Sequence, residues 1–185
     1  MRAVVVYESM YGSTHRVAEA VADGLRSVDD FGAEVIPVAH ASTEAIAGAD
    51  IVVVGGPTHV HSLSRPSTRK AAAEAVDKPG STVELEPDAE GDGLREWFDG
   101  VDRLPSLGAA FDTRLDAPAV VTGRASKGIA KRLRHHGSEL VDEPHSFLVT
   151  KEGHLEEHEE EEARSWGRRL GVTTSERTGA DRPQR

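Results

Sequence analysis

The chain has 185 residues, of which 37% are hydrophobic, and it carries a formal net charge of −10. This length suits one domain with a single core, and the acidic balance argues against nucleic acid and anionic membranes as partners. The absence of cysteine excludes disulfides, thiolate metal sites and a cysteine nucleophile. No run approaches 18 apolar residues and the first strand begins at once. We therefore expect a cytoplasmic protein with neither a signal peptide nor a membrane span.

The first 25 residues predict a strand, a loop and a helix. The apolar, largely β-branched run at 3–7 is typical of a strand that is buried on both faces of a parallel sheet. The stripe of an amphipathic helix follows, with apolar residues at spacings of three and four: Val17, Ala18, Val21 and Leu25. A strand-to-helix junction of this kind presents free backbone N–H groups to an anion.

The loop at 8–14 has several hydroxyl side chains and one glycine. It lacks the lysine of a nucleoside triphosphate loop and the three glycines of a dinucleotide loop. Its neutral hydroxyls, together with the N–H groups of the helix, suit a single phosphate monoester that is held without a counter-charge. The alternative is an ordinary turn in which Ser13 or Thr14 is the N-cap of the helix.

The six residues at 9–14 read Ser-Met-Tyr-Gly-Ser-Thr and resemble the first FMN loop of the flavodoxin family, [ST]-x-[ST]-G-x-[ST]. Tyr11 departs from the family pattern at its third position, which removes one small hydroxyl side chain but keeps the backbone N–H group. The resemblance implies that the phosphate of FMN is held by Ser9, Met10, Tyr11, Gly12, Ser13 and Thr14.

The next strands predict the order of the sheet. Pro37 suits an edge position for the strand at 34–38, whereas the run at 50–56 is apolar and ends in glycines, as a buried strand would. We predict an α/β fold with a doubly wound, five-stranded parallel sheet, flavodoxin-like, in the order 2-1-3-4-5. Ligands of such sheets bind at the switch point between strands 1 and 3, and flavodoxin with FMN is a known example of this rule.

The loop after the third strand opens with Gly-Gly-Pro-Thr at 55–58. This opening resembles that of flavodoxin-like reductases, in which the loop lies along the flavin ring. The resemblance implies ring contacts from Pro57, Thr58, His59, Val60 and His61. Solvated loop residues are the alternative for the two histidines, and hydrogen bonding or charge near the ring is their expected role in a flavin site.

Two histidine patterns raise the question of a metal. His59 and His61 are two residues apart, but a third ligand nearby is hard to find. His154 and His158 fit the inverted zinc-protease pattern H-x-x-E-H, yet they lie in an acidic run near the end of the chain. We therefore predict a solvated helix face there and no metal site.

The end of the fourth strand supplies the third predicted wall. The strand is predicted at 107–111, and by position the flavin contacts are Phe111, Asp112, Thr113 and Arg114. Arg114 could simply pair with Asp112. Alternatively, it could stabilise an anionic reduced flavin and so raise its reduction potential.

The remaining segments complete the predicted domain. The segment at 77–93 is rich in Pro, Gly and acidic residues, which indicates a surface excursion or a mobile flap. The fifth strand is predicted as two pieces, at 139–141 and 146–149. We predict a flavodoxin-like FMN-binding domain at 1–171, followed by a polar, disordered tail at 172–185.

These patterns favour an FMN-binding redox protein that carries electrons between a reductase and an acceptor through a non-covalent FMN. Its surface acidity would then steer it to basic partners. One alternative is an enzyme, either an NAD(P)H:quinone or a protoporphyrinogen-type oxidoreductase. The enzyme is favoured by the scarcity of aromatic residues in the predicted ring walls, where Phe111 stands alone. The other alternative is a flavodoxin fold that has lost its cofactor and acts as a binding module. The expected partner is thus a redox protein or a small quinone-like substrate, and catalytic residues and oligomeric state stay unassigned.

Overall fold

The computed structural model describes residues 1–59, 61–76 and 83–180. Its strands are β1 Arg2–Tyr7, β2 Gly32–Pro37, β3 Ile51–Pro57, β4 Leu107–Leu115, β5 Glu139–Leu140 and β6 His145–Val149. Its helices are α1 Ser13–Arg26, α2 Thr43–Ile46, α3 Pro66–Val76, α4 Leu94–Gly100, α5 Ala119–Thr122, α6 Ala125–His135 and α7 Glu159–Ala180. A short 3-10 turn covers Val38–His40.

The strands pair in parallel in the order β2-β1-β3-β4-β5. β6 also pairs in parallel with β4, and it continues along the part of β4 that lies beyond β5. The two short strands together therefore occupy the fifth position of the sheet. The predicted doubly wound α/β fold, its strand order and its split fifth strand are confirmed.

The central strand β1 shows why the sheet is covered on both faces. Val4 and Val6 belong to one apolar cluster, with residues of α4 and α6, whereas Ala3 and Val5 belong to the other, with residues of α1 and α7. All four side chains are fully buried. Successive residues of a strand point to opposite faces, so a continuous apolar run is what a strand between two helical layers requires.

Helices α1 and α7 pack with their backbones almost in contact. A Cβ atom added to Gly24 would lie 2.0 Å from the carbonyl oxygen of Arg164, and one added to Gly167 would lie 2.1 Å from that of Val21. Small residues at both positions therefore allow α7 to lie directly on α1.

Helix α7 continues beyond the predicted end of the domain at 171. It runs to Ala180, and Thr174 is fully buried against the rest of the fold. The prediction of a disordered tail is therefore wrong for residues 172–180, whereas 181–185 lie outside the described residues. Within the part of the chain that the structure describes, no helix has the length and apolar character needed to cross a membrane.

Candidate functional site

A cavity of about 190 Å³ lies at the carboxyl-terminal edge of the sheet. The carboxyl-terminal end of β4 and the loops that follow β1, β3 and β6 line it. The carboxyl ends of parallel strands meet at one edge of such a sheet, so four segments that are distant in the chain converge here. The cavity lies beside the switch point between β1 and β3.

The loop after β1 turns into α1 at Gly12. This residue is the N-cap of the helix, with a positive φ of 88° that favours glycine. The Gly12 N–H group donates to Ser9 Oγ at 3.1 Å. Ser13 and Thr14 lie in the first turn of the helix, so the alternative in which one of them is the N-cap is wrong.

The first turn of α1 offers three backbone donors. The N–H groups of Ser13, Thr14 and His15 have no backbone acceptor in the described ranges of the chain. Such groups carry the positive end of the helix dipole. Since Ser13 and Thr14 also line the cavity, this helix end can receive an anion there.

The hydroxyl groups of the same loop are already engaged within the protein. Ser13 Oγ donates to the Gly153 carbonyl at 2.5 Å, and Tyr11 Oη donates to the Ala72 carbonyl at 2.8 Å. Thr14 Oγ1 lies 2.7 Å from Thr113 Oγ1. Because only one hydroxyl of that buried pair can donate to the other, the second keeps a proton that is free to donate elsewhere.

The loop after β3 forms the second wall through Pro57, Thr58 and His59. Thr58 Oγ1 accepts the N–H group of Ala125 at 2.9 Å, which ties this wall to the start of α6. His59 Nε2 is buried and has no hydrogen-bond partner among the described residues. Burial is the main cause that lowers the pKa of His59, so the ring favours its neutral form.

The predicted residue His61 does not line the cavity in the structure. His61 is exposed, has a positive φ of 71°, and forms an isolated parallel bridge with Gly123. Val60 lies outside the described residues. In the described part of the chain, no group of three or more His, Cys, Asp or Glu side chains is placed to hold a metal ion.

The carboxyl-terminal end of β4 lines the cavity with Thr113, Arg114 and Leu115. Arg114 Nη1 donates to the carbonyl groups of Ala117 at 2.6 Å and Leu115 at 3.2 Å. Its Nε atom is buried without a partner among the described residues. Arg114 therefore holds the turn that follows β4 and keeps a buried donor beside the cavity.

Phe111 and Asp112 lie below the cavity and do not line it. Phe111 is fully buried, with its ring centroid 5.9 Å from that of Phe147 and 6.2 Å from that of Trp166. Asp112 is fully buried too, and its Oδ2 atom accepts the N–H group of Ser126 at 2.7 Å. The structure therefore does not place these two predicted residues in the cavity lining, and among the described residues Arg114 forms no ion pair with Asp112, the alternative raised from the sequence.

Several comparisons with known proteins agree with this geometry. Residues 4–69 match the family model of the flavodoxin domain. A solved flavodoxin from the domain Archaea is 20% identical and superposes with a TM-score of 0.63, covering 95% of this chain and 99% of that one. Oxidised flavodoxin 1 from Bacillus cereus is 18% identical, with a TM-score of 0.61, and the match covers 92% of this chain and 97% of that one. The chain has a flavodoxin-like fold.

One curated relative carries the name of an enzyme. It is an NAD(P)H dehydrogenase (quinone) from Trichlorobacter lovleyi, and it is 34% identical over 84 residues. The match covers 32% of this flavodoxin-like chain and 41% of the relative. The chain therefore spans well under half of the relative's length.

Sequence reasoning missed the fourth wall of the cavity in this flavodoxin-like chain. The loop after β6 contributes Lys151 and Gly153, among others, and Gly153 accepts the Ser13 hydroxyl. The predicted strand at 146–149 could have revealed this loop, since its carboxyl end must meet the same edge of the sheet. With Lys151, Arg114 and Glu152 present, the cavity has two cationic side chains and one carboxylate and is not the neutral cradle that the first loop suggested.

The segment before α4 closes the other side of the first loop. The part at 77–82 lies outside the described residues, and the part at 83–93 consists of loop and turns, as predicted. The Glu86 N–H group donates to the Met10 carbonyl at 2.9 Å, and Glu86 Oε1 lies 3.2 Å from His15 Nδ1. This side of the rim is therefore acidic, whereas the opposite side carries Arg114 and Lys151.

Proposed function

We propose that the cavity binds FMN non-covalently and that the protein uses it to carry electrons between a reductase and an acceptor. The observation that carries this proposal is the set of unpaired N–H groups on Ser13, Thr14 and His15, beside a cavity at the switch point of a flavodoxin-like sheet. A phosphate monoester is the anion that such a helix end, with few side-chain charges in its own loop, would favour.

The donors around the cavity fit the two ends of FMN. The phosphate would be held by the N–H groups of α1, by the free proton of the Thr14–Thr113 pair, and by the Lys151 ammonium group. The ring would meet the wall formed by Pro57, Thr58 and His59, where the unpaired Nε2 of His59 offers one hydrogen bond. FMN, when bound, supplies one- and two-electron redox chemistry. The protein supplies position, hydrogen bonds and exclusion of water.

The size of the cavity favours a carrier over a closed enzyme site. Pockets that enclose a whole small-molecule ligand measure roughly 300–1,000 Å³, and this cavity measures about 190 Å³. It would therefore enclose part of an FMN molecule and leave the rest at the surface. An exposed redox group is what exchange of electrons with a partner protein requires.

A second candidate function is reduction of a quinone-like substrate with electrons from NAD(P)H. Two observations favour it. With Phe111 in the core, none of the described residues of the second and third walls is Phe, Tyr or Trp, which leaves room for a planar substrate. The relative from Trichlorobacter lovleyi is named as a quinone-reducing enzyme.

Binding of FMN tests the proposal first. Apo protein should quench the fluorescence of added FMN and retain its visible colour on a desalting column. Thr14→Val should weaken FMN binding by roughly tenfold or more, since a hydrogen bond to a charged group is worth about 1.5–3 kcal/mol. Lys151→Gln should weaken it in a salt-dependent way. Lys70→Gln, on the exposed surface of α3, is the matched control for Lys151. A protein that neither quenches nor retains FMN would rule out both redox functions and leave the binding module.

Turnover then separates the two redox functions. FMN-loaded protein is mixed with NADH or NADPH and a soluble benzoquinone, and nicotinamide absorbance is followed. A carrier oxidises little nicotinamide unless a separate reductase is added. Sustained oxidation without a reductase would favour the quinone-reducing enzyme.

A further inference from the structure

The segment from 117 to 138 departs from the acidity of the rest of the chain. It contains no Asp or Glu, although the whole chain carries a net charge of −10. It contains five basic residues: Arg124, Lys127, Lys131, Arg132 and Arg134. Three of them, Lys127, Lys131 and Arg134, are exposed on α6. Positive charge is thus concentrated on one helix of an acidic protein.

Arginines from two other elements extend this region. Arg95, in α4, donates to Ser62 Oγ at 2.6 Å and to the Ser64 carbonyl at 2.7 Å, so it is fixed beneath the loop that follows β3. Burial and then the charges of Arg132 and Arg65 lower the pKa of Arg95. Arg132, in α6, and Arg65, just before α3, therefore lie close enough to Arg95 to disfavour its charged form.

The cations of this region are not held in ion pairs within the described part of the chain, although Glu96 and Glu8 favour the charged form of Arg95. No ion pair joins Arg65, Arg132 or the α6 lysines to a carboxylate within the described part of the chain. Glu96, which follows Arg95, is held 3.3 Å from Arg69 instead. We call Arg65, Arg95, Lys127, Lys131 and Arg132 the basic surface.

The basic surface adjoins the mouth of the cavity. The first residue of α6, Ala125, donates to Thr58 Oγ1, and Thr58 lines the cavity. The loop after β3 also contacts the start of this segment through the bridge between His61 and Gly123. A molecule that rests on the basic surface would therefore lie next to whatever the cavity holds.

Exposed apolar side chains occur along the chain between the end of β4 and the start of α6. Leu115 lines the cavity and is 46% exposed, and α5, which follows it, buries none of its residues. Val120 is 88% exposed and Val121 is 62% exposed. Large apolar side chains that cluster at the surface are a feature of interaction sites, and protein interfaces combine an apolar centre with a polar rim.

We propose that the basic surface, together with Leu115, Val120 and Val121, docks an acidic partner protein that exchanges electrons with the occupant of the cavity. This inference rests on the proposed function for its redox role, but not for the docking itself. The net charge alone would predict a basic partner. At contact distance, however, local charges decide orientation, because charges farther away than about 10 Å are screened at 0.1 M salt.

Glu86, on the opposite side of the cavity mouth, would help to orient such a partner. Its N–H group donates to the Met10 carbonyl, which fixes it over the first loop. The Glu86 carboxylate repels an acidic surface, whereas the basic surface attracts it. The two sides of the cavity mouth thus favour a single docking orientation.

Reversing the charge of two lysines tests the docking surface in protein that holds no flavin. The probe is a plant-type [2Fe–2S] ferredoxin, an acidic redox protein, and its affinity for the apo protein is measured by calorimetry at 20 and 200 mM salt. Wild-type protein should bind it with an affinity that falls at least tenfold at the higher salt. The double variant Lys127→Glu/Lys131→Glu should bind at least tenfold more weakly at low salt.

A matched control changes the net charge by the same amount elsewhere. Arg164→Glu/Arg168→Glu alters two exposed residues of α7 and should leave the affinity within about twofold of wild type. Circular dichroism checks that both double variants fold. Equal losses in the two variants would overturn the proposal, as would absence of ferredoxin binding by the wild-type protein at low salt. The docking experiment does not use FMN, so its result can be interpreted even if the protein fails to bind FMN in the earlier test.

Discussion

Gly55 lies directly beneath the ring of Phe111, so replacing it with alanine should destabilise the fold. A Cβ atom at Gly55 would lie 1.9 Å from Cζ of Phe111, and 2.2 and 2.3 Å from its two Cε atoms. Carbon atoms in contact are normally about 3.5–4.0 Å apart. The ring would therefore have to move by about 1.5 Å to restore an ordinary contact.

The ring has no space into which it could move. Phe111 is fully buried and is packed edge-to-face against Phe147 and Trp166. Interiors of this kind are close-packed, and extra methyl groups forced into them cost about 1–3 kcal/mol. We expect Gly55→Ala to reach the upper part of that range, because three ring atoms are affected at once.

A shorter side chain at position 111 should relieve the clash. Phe111→Leu alone should cost about 1–2 kcal/mol through lost packing. In the double variant the costs should be less than additive, with a coupling of about 0.5–3 kcal/mol. The free energy of unfolding is measured by urea titration, with the m-value checked for each variant. Gly100→Ala is the control, because nothing lies within 4 Å of its added Cβ atom. Additive costs of the two single substitutions would refute this account of the Gly55–Phe111 contact.

Two further predictions concern stability. Gly167→Ala should lower the melting temperature, because its Cβ atom would lie 2.1 Å from the Val21 carbonyl oxygen. Gly179→Ala, on the same helix, is the control, because its Cβ atom would meet nothing within 4 Å. This substitution should not lower the melting temperature. Burial, followed by the charge of Glu86, raises the pKa of Tyr7 to about 12. The unfolded chain has a tyrosine pKa of about 10, so the folded protein keeps its phenol protonated to a higher pH. The folded state therefore loses stability as the pH rises from about 10 to about 12. Between pH 9 and 11 the wild type should therefore lose roughly 1 kcal/mol more unfolding free energy than Tyr7→Phe, as measured by urea titration at each pH. Equal losses would contradict the pKa shift.

The order of the sheet could be predicted because each strand carries its own burial signal. The runs at 3–7 and 51–54 are apolar throughout, as strands between two helical layers must be. Pro37 lacks a backbone N–H group, which suits the observed edge position of β2. Each of these signals lies within the sequence of one strand, so it can be recognised without knowledge of the rest of the fold.

The residues of the third wall could be predicted only in part, because the predicted strand β4 was too short. The strand was predicted to end at Phe111, and it continues to Leu115. Its last residues are Asp112-Thr113-Arg114-Leu115, which look like a polar loop in the sequence. Since the strand extends through them, Phe111 and Asp112 lie inside the layers and Arg114 reaches the edge. A strand end is decided by pairing with β6, and this pairing is a long-range contact that local patterns do not report.

The structural role of each glycine could also be predicted only in part from the neighbouring sequence. Gly12 has a positive φ, which a sequence motif can report because the loop itself demands it. Gly171 is the predicted last residue of the domain, yet helix α7 continues through it, and a Cβ atom there would lie 2.9 Å from Cγ2 of Val28. Gly55 and Gly167 are likewise required by a neighbour that is distant in the chain. The same residue type therefore marks a turn in one place and a close contact in another, and only the three-dimensional neighbour distinguishes them. For this reason the first loop of the site could be identified from its sequence, whereas the boundary of the domain could not.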